Sequence, residues 1–520
     1  MSRARRLRRQ QKLTAAAEAK AKASARETKV AEVHAAQPPV PHAPWWLAAA
    51  FLLPNLGALA CRFVFDDRVL LVENDSMHIH SLAQLGHIWK SGYWPDARGL
   101  QLYRPVSQSI WALVWAAGGG THPALFHAIG LAAGTAVVLL LYHFLLAVKT
   151  PARAAFIAAL LFALLPIHTD ATTSVVGSAE LLAAAFSLAG LIFYYRARPI
   201  PALIFFALAV FSKESAAAFA ALPVVFPRRD WRAHDSLASG AGAGVIIAAA
   251  LLAHRVLSGS AGVPAIDNPS AYISAGQRIL TALWVQCMYL WKAVVPITLS
   301  ADYSYKQIRL VMGPDDWRAW AGLALAGGAI FLAWRRPEFR APVFTYAILF
   351  SPTANVLFPI GTIMGERLIY APSIGLALLL GILLGRTRYW KVALVAVALV
   401  FGVRTAVRNR DWLDPQRFYT KLVQTSPESA KSHYSIGVLL ASNGDDPAAI
   451  DAYDRAIAIF PAYAEAYRNR GNSYARLGKR AEAMASYRAC LRFDPGNFTA
   501  ASNLAALQAG IAVNPPRAKL

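Results

Sequence analysis

The chain is short of acids. It holds 29 Asp and Glu against 52 Lys and Arg, and charged residues of both signs make up only 16% of its 520 positions. With 56% hydrophobic residues and a mean hydropathy of +0.38, so few charges exclude an ordinary soluble protein and point to several helices in a bilayer. Cysteine is scarce too. Cys61, Cys287 and Cys490 lie far apart, which gives neither a zinc spacing nor a disulfide framework. No P-loop, nucleotide-binding glycine motif, Ser-His-Asp pattern or H-E-x-x-H is present.

The net charge of +23 would suit nucleic acid, but the cations cluster in short segments between apolar runs. That is the distribution the positive-inside rule produces, so the charge reads as topology and no nucleic-acid partner is expected. Residues 1–44 carry Arg3, Arg5, Arg6, Arg8 and Arg9, then Pro38, Pro39, Pro41 and Pro44, and read as a disordered cytoplasmic tail or one lying on anionic lipid. A membrane domain over 45–410 follows. Spans are predicted near 45–61, 124–147, 154–167, 179–195, 240–257, 318–334, 341–358, 372–385 and 391–407, with a helical pair at 200–212 and 215–227. Residues 62–123 form a large external loop. Segments 105–118 and 277–297, rich in Trp and Tyr, are expected at the outer interface. The count is about eleven spans, N-terminus inside and C-terminus outside.

After Val407 the composition turns soluble. Gly437, Leu440, Ala449, Tyr453, Ala456 and Pro461 recur 34 residues later as Gly471, Tyr474, Ala483, Tyr487, Cys490 and Pro495. This is the tetratricopeptide period, with small residues where helices approach and aromatics between them. A half repeat (Tyr419, Pro427) precedes it and a helix at 497–509 closes it. The domain covers 411–513, with a tail at 514–520, and its concave face is expected to hold an acceptor or partner peptide. The fold class is therefore all-α: a polytopic helical membrane domain followed by a short α-solenoid.

Several polar residues stand out at predicted outer ends. Asp66 and Asp67 follow the first span directly; either they end that span in water, or one of them is a general base toward a hydroxyl. Arg367, in Glu366-Arg367-Leu368-Ile369-Tyr370, has the planar fork for a lipid phosphate, with Glu366 to orient it. Lys213 stands at an outer turn against the charge bias, and Arg104 can neutralise the acidic pair or bind phosphate. His168, Asp170 and Asp302 are further substrate-site candidates. The histidines, His122 and His127 included, show no ligand spacing, so no metal site is assigned. A lipid-linked donor on the outer side fits these residues better than a soluble nucleotide sugar.

Taken in order, Phe65-Asp66-Asp67, Tyr103-Arg104-Pro105, His122-Pro123, Pro166-Ile167-His168-Thr169-Asp170, Val175-Val176-Gly177, Lys213-Glu214, Asn355, Gly361 and Glu366 to Ser373, followed by repeats, resemble the transmembrane and tetratricopeptide-repeat-containing O-mannosyltransferases. The likeness covers nearly everything after residue 45 and is most specific over 366–373. It implies a GT-C membrane fold and transfer of mannose from a polyprenyl-phosphate-linked donor to Ser or Thr of a protein, with no further cofactor. By that likeness Asp66 or Asp67 would be the base, Arg367 and Lys213 the phosphate contacts, and Tyr370 part of the site. The chain departs from the family pattern at Ser178-Ala179-Glu180, where an Arg and an Asp are expected, so Glu180 bears on sugar and acceptor contacts. Two other readings remain open: a GT-C enzyme acting on a lipid or glycan, and a non-enzymatic scaffold that recruits partners through its repeats. Ala, Arg and Pro richness points to a bacterial inner membrane with periplasmic repeats; an endoplasmic reticulum membrane with lumenal repeats would have the same topology.

Overall fold

The computed structural model describes residues 40–94, 102–120, 122–228, 233–258 and 262–517. The expected basic tail lies outside the described residues up to position 39, as do Arg229, Arg232, residues 95–101 of the long loop and the last three positions of the chain. Among the described residues every regular element is helical.

At the centre of the membrane domain is the helix Ala152–Leu164, buried on every face from Ala154 onward. A helix apolar all round must be enclosed, and this one is packed between Ser373–Gly385, Pro123–Ala147 and Ala43–Asn55. Glycine sets the closest approach: a Cβ on Gly381 would stand 2.6 Å from the Ala154 carbonyl oxygen. Outside this centre, Ser178–Tyr195 packs on Pro123–Ala147 and on Pro199–Ser212. Proline opens several of these helices, among them Pro123 and Pro199, where its fixed φ suits the first turn and its missing N–H costs nothing.

The expectation of eleven spans is corrected. Among the described residues, four helical segments are long and apolar enough to cross a bilayer: Ala43–Ala60, Pro123–Ala147, Ser178–Tyr195 and Trp390–Trp412. A fifth arises if Ala152–Leu164 and Pro166–Thr173, bent by 53° at their break, act as one. Trp317–Arg335, where a span is expected at 318–334, has 19 residues but is not among them, and four further apolar helices are shorter. Pro199–Ser212, Glu214–Val225, Gly240–Val256 and Ser373–Gly385 each hold 10–17 residues. At 1.5 Å per residue, a 13-residue helix reaches about 20 Å of a hydrocarbon core about 30 Å thick. Hydropathy marks such segments as apolar but does not measure how far their helices continue. The predicted span 341–358 shows this well, since its helix is only Arg340–Phe350.

The two segments expected at an interface are helices as well. One is Pro105–Val114, extended by a wider turn to Gly119; the other is Ala275–Val294, opened by a capping box between Ser274 and Gln277.

The repeats form as helix pairs, Ala430–Ser442 with Asp446–Ile459 and Ala464–Arg476 with Arg480–Phe493, preceded by Pro415–Thr425 and closed by Phe498–Gln508. The same contact recurs in each pair. A Cβ on Gly437 would stand 2.7 Å from the Tyr453 ring, and one on Gly471 would stand 2.8 Å from the Tyr487 ring. The array docks on the membrane domain along a polar seam. Ala430 N–H donates to the Tyr305 carbonyl (2.7 Å), Lys306 N–H to the Glu428 carbonyl (2.9 Å), and Ser426 Oγ to the Asp302 carbonyl (2.6 Å).

Candidate active site

The two adjacent aspartates have opposite surroundings, and the residue before them is the reason. Phe65 adopts a left-handed backbone with φ of 54°. Its N–H donates to the Tyr419 hydroxyl (3.3 Å) and its ring packs on Phe418 (5.8 Å), both in the half repeat. A bulky residue holds that conformation only where its surroundings enforce it.

Beyond this turn Asp67 points inward and is wholly buried. Its Oδ1 accepts from Ser174 Oγ (2.9 Å) and Val176 N–H (2.8 Å), and its Oδ2 from Val175 N–H (3.0 Å). Burial raises its pKa to about 7; the hydrogen bonds from Val176, Val175 and Ser174 pull the other way, and Asp66 adds a smaller raising effect. Asp67 thus clamps the turn at 174–176 and does not face solvent.

Asp66 remains 18% exposed, and its Oδ2 accepts from Arg367 Nη2 at 2.9 Å. Arg367 is 30% exposed. Its position is fixed from behind, because its backbone N–H donates to Asp170 Oδ2 (3.1 Å). Asp170 is itself buried. Although burial opposes charge on Arg367, its pKa lies above the ordinary arginine value, because the carboxylates of Asp66 and Asp170 stabilise the cation.

The other predicted cations are engaged elsewhere. Lys213 makes a buried ion pair with Glu180, so neither is a free phosphate or substrate contact. Arg104 does not neutralise the acidic pair. It binds Glu214 in bidentate fashion, Nε to Oε2 at 2.9 Å and Nη2 to Oε1 at 2.6 Å. Glu366 does not orient Arg367 either. It faces inward, where Oε1 accepts from Ser300 N–H (2.7 Å) and from the Tyr303 hydroxyl, and Oε2 lies 3.9 Å from Arg408 Nη2. Burial raises its pKa to about 7 against the opposing pull of Arg408 and the Tyr303 hydrogen bond.

His168 is packed between the Phe162 and Tyr370 rings and is hydrogen-bonded to Ser373 Oγ (2.9 Å); Tyr370 is likewise buried. Asp302 belongs to the docking seam, accepting from Ser304 Oγ (2.8 Å) and Ser429 Oγ. His168 and Tyr370 therefore sit in the packed interior and Asp302 in the seam, and none of the three makes a hydrogen bond to Asp66 or to the Arg367 side chain among the described residues. Among the described residues no three of His, Cys, Asp and Glu converge as a metal-ligand group.

One residue the sequence did not single out stands close by. Lys431, at the start of the first full repeat, binds Asp267 Oδ1 (2.7 Å) and lies 5.8 Å from the Phe65 ring centroid. Asp267, Asp302 and Asp66 are the carboxylates that act on its charge. No local pattern marks a surface lysine of a repeat as facing a loop more than 300 positions earlier; only the docking of the array brings it there. Two cavities lie elsewhere: a groove among Gly190, Phe206, Phe219 and Ala243, and a second bordered by Lys149, Leu378 and Arg386. Neither includes a member of the Asp66–Arg367 pair.

Comparison with known proteins follows the same lines. The family described as Protein O-mannosyl-transferase TMTC, DUF1736, matches residues 259–330, and tetratricopeptide repeat families match 439–478 and 464–497. Protein O-mannosyl-transferase F38B6.6 of Caenorhabditis elegans is 27% identical over 439 residues, which cover 80% of this chain and 62% of that protein. Protein O-mannosyl-transferase TMTC4 of Mus musculus is 27% identical over 467 residues, 75% of this chain and 63% of the relative. Protein O-mannosyl-transferase TMTC1 of Homo sapiens is 26% identical over 495 residues, 82% and 56%. The chain thus spans less than two thirds of the length of these relatives. They are animal proteins and lend no support to the expected bacterial inner membrane; richness in Ala, Arg and Pro carries no address.

Proposed function

We propose that this chain is an integral membrane glycosyltransferase that moves mannose from a polyprenyl-phosphate-linked donor to a Ser or Thr hydroxyl of a protein. The observation that carries the reading is the Asp66–Arg367 pair: a carboxylate and a guanidinium 2.9 Å apart, both reaching solvent, on loops flanking apolar helices. The similarity to named O-mannosyltransferases supports the sugar and the class of acceptor.

In this reading Asp66 accepts the proton of the acceptor hydroxyl. The hydroxyl oxygen bonds to the anomeric carbon as the bond from that carbon to the phosphate oxygen breaks. The electron pair leaves with the polyprenyl phosphate, whose growing charge Arg367 offsets from a fixed position. Asp170, by holding the Arg367 backbone, sets where that cation stands. A single displacement inverts the anomeric centre. The repeats present the acceptor from the side on which Asp66 opens, and Lys431, Phe418 and Tyr419 are repeat-side residues that reach the Phe65 turn.

The test is a transfer assay with the purified full-length chain in lipid. It should move mannose from polyprenyl phosphate mannose onto Ser or Thr of a protein, with inversion, and should not use a nucleotide mannose directly. Transfer from the nucleotide sugar alone, or onto lipid only, would contradict the proposal.

A further inference from the structure

Tyr93 lies in the described part of the long loop and is buried, yet among the described residues its hydroxyl has no hydrogen-bond partner. The residues around it repeat the pattern. The Trp94 ring stands edge-on to it at 5.4 Å, and the Trp94 indole N–H is buried without an acceptor. Gln108 Nε2 donates to the Tyr93 carbonyl (3.3 Å), while Gln108 Oε1 has no donor. Buried polar atoms without partners are few in folded proteins, and each costs stability. Three that fall on Tyr93 and two residues touching it mark a place shaped for something else.

The charges around the hydroxyl say what that is. The Arg104 guanidinium lies over the Tyr93 ring, 4.9 Å from its centroid. Arg104, Arg367 and Asp66 are the charged groups that act on the phenol. One guanidinium thus lies against the ring, and the Arg367–Asp66 pair lies within electrostatic reach of the hydroxyl. Burial pushes the phenol's pKa upward, so the group stays a neutral O–H donor at physiological pH.

We infer that the Tyr93 hydroxyl is a binding group of the Asp66–Arg367 site, donating a hydrogen bond to a phosphoryl oxygen of the lipid-linked donor. The inference rests on the reading of that site given above. An O–H donor with one guanidinium over its ring and a second within electrostatic reach is chemistry for an anion. A charge-assisted hydrogen bond to phosphate would satisfy a hydroxyl that the protein leaves bare.

Phenylalanine at this position removes one oxygen whose O–H finds no acceptor among the described residues and whose nearest charged neighbour is the Arg104 guanidinium. The experiment compares full-length wild type, Tyr93→Phe and Asp66→Asn in lipid. It measures the melting temperature, donor kcat and KM, and the affinity for a polyprenyl phosphate that carries no sugar. The expectation is a Tyr93→Phe protein that melts as wild type does, with kcat/KM about tenfold to a hundredfold lower, mainly through KM, and sugar-free phosphate bound more weakly by a similar factor. Wild-type kinetics and phosphate affinity in Tyr93→Phe, alongside an inactive Asp66→Asn, would overturn the inference while leaving the site reading in place. Lost activity with unchanged phosphate affinity would overturn the phosphate contact, and a markedly lower melting temperature would assign the hydroxyl to the fold. An active Asp66→Asn would remove the reading on which the inference stands.

Discussion

Lys213 and Glu180 show how much a single side chain's role depends on what faces it. By family likeness, the lone lysine at an outer turn reads as a phosphate contact. Its partner, 33 positions earlier on another helix, turns it into half of a buried ion pair. Breaking such a pair leaves an uncompensated buried charge, at a cost of about 3–5 kcal/mol. Lys213→Met should therefore lower the stability of the detergent-solubilised protein sharply, and Lys213→Met with Glu180→Met should recover most of it; thermal melting of the three proteins checks both. Glu366 gives a pH-dependent counterpart. Its pKa rises from the ordinary value of 4.5 to about 7 on folding, so the folded state holds the proton more tightly than the unfolded one. The associated stability is fully present below pH 4.5 and is lost as pH rises through 7. The melting temperature should fall between pH 5 and pH 8, and fall less in Glu366→Gln.

At the level of elements, legibility followed periodicity. The repeats were readable because their packing is local and recurs every 34 residues, so that Gly437 against Tyr453 reappears as Gly471 against Tyr487. Gly471→Val should unfold the second pair and expose its core, seen as earlier proteolysis within 464–508 while the membrane helices persist. The membrane helices were legible as apolar segments but not as spans. Their ends are set by turns such as the 53° bend before Pro166, which hydropathy does not register. The choice between Asp66 and Asp67 was not legible at all. Adjacent residues share one sequence context, and what separates them is the Phe65 turn held by Tyr419, 354 positions away.

On the scale of the whole molecule, the half repeat and the membrane loop make one structure around the pair. Cys61, Val64, Trp412, Phe418, Tyr419, Leu422 and Leu439 share a core, and the seam from Ser300 to Tyr305 is hydrogen-bonded to residues 425–430. The repeats therefore form a wall of the candidate site, which a scaffold reading does not require. The central claim is that Asp66 is the base and Asp67 the clamp. The direct measurement is the rate of sugar transfer from a polyprenyl-phosphate donor by Asp66→Asn and Asp67→Asn, each read beside its melting temperature. Asp66→Asn should melt as wild type does and lose about a hundredfold or more in rate, the range for a missing general base. Asp67→Asn, which puts an amide where three donors need an acceptor, should melt earlier by the equivalent of about 1–3 kcal/mol. Full transfer by Asp66→Asn would contradict the account.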